Sequence, residues 1–326
     1  MTGGQHPKIL RFFTLWLFIL VFIGGCKLGL KENQDNNNNN GPDDPGFSDQ
    51  WIELGPAPIS NTQSTGRVSA IGVSAINPNL YYVGGADGGV WKSEDGGSSW
   101  KALTDHLPTT AIGAVTVDPT NDQVVYAGSG EANFANHSRY GLGLYKTTDG
   151  GENWEVLAAD IFSGRCFSRI VIDPSHTDTL YASITHAGGL PSFDFNIAGA
   201  RGHTGALLPP GVWKSTDGGI TWTQLTNGLP GDLSATDLIM DPSNASILFA
   251  GIGHVFGDPR NGIYRSTDGG SSWNKLGGGL PGTGVGRIAL ATTPANPNRI
   301  YASIVRACDA RGGGASTMGV YRSDDG

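Results

Sequence analysis

The sequence predicts an all-β protein, a β-propeller of four-stranded antiparallel blades, and three observations predict it. A turn phrase of the form Ser/Thr-x-Asp-Gly-Gly-x-x-Trp recurs at intervals of roughly 50 to 70 residues, which marks a repeat architecture. Between its copies the apolar residues gather in short runs of strand length, and no segment keeps a 3.6-residue period for three turns. Glycine makes up 51 of the 326 residues while only 15% are charged. That composition suits many short strands joined by tight turns, because glycine enters positive φ without a steric penalty.

Each repeat divides into the same pieces. An apolar run comes first: Val68-Ser69-Ala70-Ile71-Gly72-Val73, then residues 112–117, Ile170-Val171-Ile172, Leu238-Ile239-Met240 and Ile288-Ala289-Leu290. A proline turn follows, clearest at Asp118-Pro119, Asp173-Pro174 and Asp241-Pro242, where proline presets φ and the aspartate can accept downstream backbone N–H groups. The second strand carries an aromatic residue (Tyr82, Tyr126, Tyr181, Phe249, Tyr301), and the third reads aromatic-basic, as in Trp91-Lys92, Tyr145-Lys146, Trp213-Lys214, Tyr264-Arg265 and Tyr321-Arg322. The turn phrase comes next: Ser93-Glu94-Asp95-Gly96-Gly97-Ser98-Ser99-Trp100, then residues 147–154, 215–222 and 266–273, and a fifth time Ser323-Asp324-Asp325-Gly326. The fourth strand opens with Trp-x-x-Leu, at Trp100, Trp154, Trp222 and Trp273. Four short strands per unit with turns between them read as propeller blades.

The phrase resembles the Asp box of bacterial neuraminidase-type repeats, found in sialidases, two-propeller xyloglucan-cleaving hydrolases, sortilin-type receptor domains and a photosystem assembly factor family. The resemblance covers residues 51–326 and implies a propeller. It is specific for fold and weak for function, since those families differ in activity. It implies structural duty for Asp95, Asp149, Asp217, Asp268 and Asp325, whose carboxylates would accept turn N–H groups. Trp100, Trp154, Trp222 and Trp273 would pack between strands, each ring contributing up to about 5 kcal/mol if some ~200 Å² is fully buried. Trp51-Ile52-Glu53-Leu54 is a Trp-x-x-Leu strand with no box before it. Either it closes a ring of five blades, or it completes a later blade; the second reading, an incomplete ring of about five blades, is preferred.

The first 50 residues differ in kind. Lys8 and Arg11 precede an apolar run, residues 12–23, too short for the about 20 residues a membrane-spanning helix needs. The run fits the apolar core of a signal peptide. Ile23-Gly24-Gly25-Cys26 resembles the bacterial lipoprotein cleavage box, which implies residues 1–25 as the leader, a lipid anchor at Cys26 and export to the cell envelope. Residues 26–50, with an asparagine run at 36–40, offer almost nothing apolar to bury and read as a solvated tether. The net charge of −8 argues against a nucleic-acid partner. Cys166 and Cys308 fall in different repeats without CxxC or Cys/His spacing, so separate thiols are expected and no metal or cofactor is implied.

Length variation is confined to the connections between second and third strands, and long loops on a rigid scaffold tend to carry binding residues. Among their polar residues Glu131, Arg139, Asp194 and His203 are candidates. Arg67, Arg165 and Arg287 each follow a glycine at the start of an inner strand, from which arginines could reach the channel and grip a carboxylate or sulfate. A glycosidase needs two carboxyl groups facing one sugar; Glu131 and Asp194 are candidates. The xyloglucan-cleaving enzymes carry an Asp just before a Gly-Gly pair in blade one, and Ala86-Asp87-Gly88-Gly89 is similar with the acid one position later. In a strand that slip would reverse the face. The sialidase arginine motif and tyrosine nucleophile have no counterpart. The favoured reading is an exported, lipid-anchored binding or scaffold module for a protein or glycan. The alternatives are a glycoside hydrolase of sialidase or xyloglucanase type and an assembly factor for a membrane complex.

Overall fold

The computed structural model describes residues 67–133, 138–186, 206, 208–308 and 316–326, and everything below concerns these. Contacts divide the chain into Met1–Trp51 and Ile52–Gly326, and the described residues all belong to the second unit. Five antiparallel sheets follow one another in chain order. Blade 1 holds β1 (Val68–Val73), β2 (Tyr81–Gly85), β3 (Val90–Ser93) and β4 (Lys101–Ala102). Blade 2 holds β5 (Ile112–Asp118), β6 (Asn121–Ser129), β7 (Leu144–Thr147) and β8 (Glu155–Leu157). One turn of helix, α1 (Ala159–Phe162), leads to blade 3: β9 (Arg165–Ile172), β10 (Leu180–His186), β11 (Gly211–Ser215) and β12 (Thr223–Leu225). Blade 4 holds β13 (Ala235–Asp241), β14 (Asn244–Ile252), β15 (Gly262–Ser266) and β16 (Asn274–Lys275). Blade 5 shows three described strands, β17 (Val285–Thr293), β18 (Asn296–Arg306) and β19 (Thr317–Ser323). Residues from β1, β5, β9, β13 and β17 line one common cavity, so the inner strands face a shared axis as in a propeller. Trp51 lies outside the described residues.

The turns form for the reasons the sequence suggests. In the proline turns Asp118 Oδ1 accepts the Thr120 N–H at 2.7 Å and Asp241 Oδ1 that of Ser243 at 2.7 Å. In the first Asp box Asp95 Oδ1 accepts the Ser99 N–H at 2.8 Å and Oδ2 its hydroxyl at 2.6 Å, while Gly97 N–H reaches Ser93 Oγ at 2.8 Å. The boxes of Asp149, Asp217 and Asp268 repeat this pattern, and Ser323 donates to Asp325 at 2.8 Å. Both box glycines take left-handed φ, 70° at Gly96 and 92° at Gly97. Each tryptophan Nε1 donates back to the second glycine, at 3.0 Å from Trp100 to Gly97. Trp222 and Trp273 are buried, but Trp100 and Trp154 are only half-buried, so full ring burial holds for two of the four.

Two sets of contacts join each blade to the next. On the outside, the first box glycine of one blade offers its carbonyl to the second-strand tyrosine and third-strand lysine of the blade before. Tyr181 Oη donates to Gly269 O at 2.9 Å and Lys214 Nζ to the same oxygen at 3.1 Å, with the ammonium 5.1 Å from the tyrosine ring centroid. Tyr82 likewise reaches Gly150 O at 3.2 Å, and Lys146 reaches Gly218 O at 3.3 Å. The second glycine lies against a leucine of the preceding blade; a Cβ at Gly151 would come within 2.5 Å of Leu103 Cδ1. On the inside, every inner strand has a β-bulge near its start, at or opposite Ser69, Gly113, Ser168, Thr236 and Gly286-Arg287. The bulge hydroxyl donates to the next inner strand: Ser168 Oγ to Ala235 O at 2.7 Å, Thr236 Oγ1 to Ile288 O at 2.8 Å, and Ser69 Oγ to Ile112 O. Blade 2 has glycine instead, because Phe167 O approaches so closely that a Cβ on Gly113 would sit 2.1 Å from it. No disulfide joins Cys166 and Cys308.

Two outcomes follow from these joints. Gly113→Ala must push the β9 backbone away and lowers the melting temperature markedly, whereas Gly277→Ala, with nothing within 4 Å of its added Cβ, changes stability by no more than about 0.5 kcal/mol; paired thermal melts check this. The carboxyls of Asp95, Asp217 and Asp268 are held near about 2, against an ordinary 3.8, by the hydroxyl and N–H of Ser99, Thr221 and Ser272, and Asp149 is held as low by the N–H and amide of Asn153. A carboxyl depressed in the folded state stabilises fully above its unfolded value and loses that contribution as pH falls through its folded value. The melting temperature therefore drops from about pH 4 towards pH 2, and Asp217→Asn makes that drop shallower.

Candidate functional site

One position per blade rings the cavity, Ala70, Ala114, Arg169 and Asp237 directly after their bulges and Ala289 two residues after its own. The cavity measures about 180 Å³. Asp237 is buried and fully engaged. It meets Arg169 through Nε at 2.9 Å and Nη2 at 3.3 Å, and it accepts the N–H groups of Leu238 and Leu290, each at 2.8 Å. It therefore ties blade 4 to blades 3 and 5. The Arg169 side chain remains 48% exposed and lines the cavity.

A second cluster stands where Glu131 and Asn133, just after β6, meet arginines of blades 1 and 5. Glu131 has a side chain only 2% exposed and is ion-paired with Arg67 of blade 1. It also accepts from Asn133 Nδ2 at 3.0 Å, and its own N–H donates to Arg139 O at 2.8 Å. Asn133 turns its Oδ1 to Arg287 Nη1 at 3.1 Å, so a blade 2 loop meets the inner strand of blade 5. Burial pulls the Arg287 pKa down, and the charges of Asp237 and Glu131 oppose that pull. Further out, Asp87 forms an ion pair with Arg139 Nε at 3.3 Å, with 58% of its side chain exposed. It lies in the bend between β2 and β3, outside any strand, so the alternation that would reverse its face does not apply.

The structure thus brings together Arg67, Arg287, Glu131, Arg139 and Asp87, on the end of the blades that carries the β2–β3 type connections. Arg165 does not join them. Its Nε donates to Leu208 O at 2.7 Å and its Nη1 lies 3.2 Å from His186 Nδ1, which anchors the chain beyond β10. Asp194, His203 and Cys26 lie outside the described residues. Sequence reading missed Asp237 and Arg169; the signal for Asp237 was an acid inside the run Ala235-Thr236-Asp237-Leu238-Ile239, since a buried carboxylate needs partners.

Each of the two buried carboxylates is engaged by an arginine: Asp237 has both oxygens occupied, and Glu131 takes Arg67 and Asn133 on Oε1. Of the carboxylates gathered here, Asp87 is the one open to solvent. Among the described residues no group of three His, Cys, Asp or Glu side chains stands close enough to hold a cation.

No protein-family model matches the chain. In sequence it is similar to a xyloglucanase of a Paenibacillus species, 24% identical over 298 residues that cover 82% of this chain and 27% of the relative. It is also similar to xyloglucanase Xgh74A of Acetivibrio thermocellus, 23% identical over 245 residues, covering 65% of this chain and 26% of the relative. Among solved structures, an ancestral GH74 enzyme superposes with TM-score 0.58 at 23% identity, over 80% of this chain and 32% of its own. The GH74 enzyme of Niastella koreensis gives 0.52 at 22% identity, over 79% and 36%. The chain spans about a quarter of the length of these curated relatives. What the likenesses establish is architecture: this is a β-propeller, similar to one part of the GH74 xyloglucanases.

Proposed function

We propose that the chain is a propeller of a glycoside hydrolase of the xyloglucanase type, binding an extended β-glucan across the end of the blades that carries Asp87, Arg139 and the β6–β7 loop. The carrying observation is the similarity to proteins named xyloglucanases over 82% of the chain, which favours the hydrolase reading over a scaffold or assembly role. Asp87 supports it: its carboxyl is exposed on that end, beside the Arg139 guanidinium that orients it. Hydrolysis of a glycosidic bond takes two carboxyl groups about 5 to 9.5 Å apart, so a second one completes the site. A specific observation favours binding without cleavage as the second reading, namely that the two buried acids of the channel are already neutralised by Arg67 and Arg169.

The leader and anchor belong to the same proposal. A polysaccharide substrate lies outside the cell, and Cys26 after two small residues would tie the propeller to the envelope by lipid. Fatty-acid labelling of the expressed protein is expected to mark the wild type and to vanish in Cys26→Ser; labelling that persists in the variant removes the anchor.

Migration of the protein through a gel cast with xyloglucan, together with release of reducing ends, tests the function. Retardation with hydrolysis is expected, and Asp87→Asn should lower hydrolysis by a factor on the order of 100 or more with retardation unchanged. Retardation without new reducing ends selects the binding reading. Free migration with no cleavage defeats both.

A further inference from the structure

Five charged side chains meet at the cavity and its mouth, Arg67, Arg169 and Arg287 against Glu131 and Asp237. Their pairing is uneven. Asp237 holds Arg169 at two points and Glu131 holds Arg67, whereas the side-chain bond that Arg287 makes among the described residues goes to the neutral amide of Asn133. That amide is itself shared with Glu131. Asp237 could not serve Arg287 as well without giving up a backbone N–H or its grip on Arg169. Among the described residues the cluster therefore carries one more positive than negative charge, and the excess falls on the half-buried guanidinium of Arg287. A cation withdrawn from water without a counter-charge is unfavourable, and the usual remedy is an anion.

Room for one exists. The cavity lined by Arg287, Arg169, Ser168, Thr236 and Ala289 has a volume of about 180 Å³, the space of about six waters at ~30 Å³ each. A carboxylate with the adjoining carbons of a sugar fits that space. Its single negative charge matches the single surplus, and its two oxygens suit the guanidinium fork. Asp237 is the one carboxylate in the wall, already engaged by Arg169 and two backbone N–H groups, and blades 1, 2 and 5 contribute alanine to the ring.

We propose that the axial cavity is a subsite for the carboxylate of a uronic-acid residue on the bound glycan, seated on Arg287 with Arg169 beside it. The glycan as the source of the carboxylate rests on the function proposed above; the carboxylate preference itself rests on the charge count. The substrate class is then an acidic, uronate-bearing glycan in place of a wholly neutral one.

Free D-glucuronate and D-glucose are the probes, titrated calorimetrically against the full chain. Glucuronate is expected to bind saturably, glucose not, and Arg287→Met to weaken glucuronate about tenfold or more, the effect of losing a charge-assisted bidentate bond. Arg287→Lys keeps the charge without the fork and should fall between. Because Arg287→Met also removes the bond to Asn133, Ala289→Asp supplies a second variant: it sets a carboxylate into the same ring, so it should abolish glucuronate binding while keeping or raising the melting temperature. Absence of saturable glucuronate binding, equal binding of glucose, or full binding by Arg287→Met overturns the proposal. Xyloglucan retardation is measured alongside, so loss of the carboxylate subsite alone and loss of glycan recognition altogether give different results.

Discussion

Everything in this molecule rests on how one backbone carbonyl is satisfied. The first glycine of each Asp box sits at φ near 70°, a conformation few other residues tolerate, and that twist turns its C=O outward from its own hairpin. The preceding blade supplies the donors for the boxes of blades 2 to 4: the hydroxyl of Tyr82, the ammonium of Lys146, and Tyr181 together with Lys214. The Asp carboxylate is what holds the glycine in that pose, by accepting the N–H groups on the far side of the turn. The box is thus both a turn and a blade-to-blade joint. Lysine can serve there because its charge lies over the face of the tyrosine ring it accompanies, at 5.1 Å in blade 3 and 5.4 Å in blade 2.

The outer joint alone would leave blades free to splay at the axis. The bulge residues prevent it. An extra residue in each inner strand turns one side chain sideways, and where that side chain is a hydroxyl it bonds the carbonyl of the next inner strand. With both edges fixed, the positions just past the bulges fall into one ring, and the cavity has a defined wall on which charges can be placed. This is why Asp237 can be buried at all: the next blade is close enough to give it the Leu290 N–H, and the previous blade gives it Arg169.

The fold was legible because its causes are local. Box aspartates act on residues three or four positions away, and the aromatic and basic residues of the joint recur at fixed offsets from the box. The partners in the joint were not legible, since Tyr181 and Gly269 are 88 residues apart and nothing in either repeat names the other. The site was legible only in parts. Arg67 and Arg165 look alike, each following a glycine, but Arg67 stands two residues before its bulge at Ser69 and Arg165 three before Ser168. Arg67 precedes β1 and reaches Glu131, while Arg165 opens β9 and turns to Leu208 and His186. Glu131 drew attention as a candidate acid, and its partner Arg67, 64 residues back, is what makes it a structural anion.

These constraints also decide where function can reside. In an antiparallel blade the β1–β2 and β3–β4 turns share one end, and the β2–β3 connection lies at the other. The Asp boxes occupy the first end and are committed to the joints, so altering them costs stability before it alters recognition. Asp87, Glu131, Asn133 and Arg139 all belong to β2–β3 type connections at the second end. Of these, Glu131 and Asn133 extend inward to the axis and are fixed there by arginines from blades 1 and 5, whereas Asp87 and Arg139 remain at the solvent edge. A ligand approaching this end therefore meets an exposed ion pair first and a cationic cavity beneath it. The rim residues can vary without loosening the ring, and the residues below them cannot.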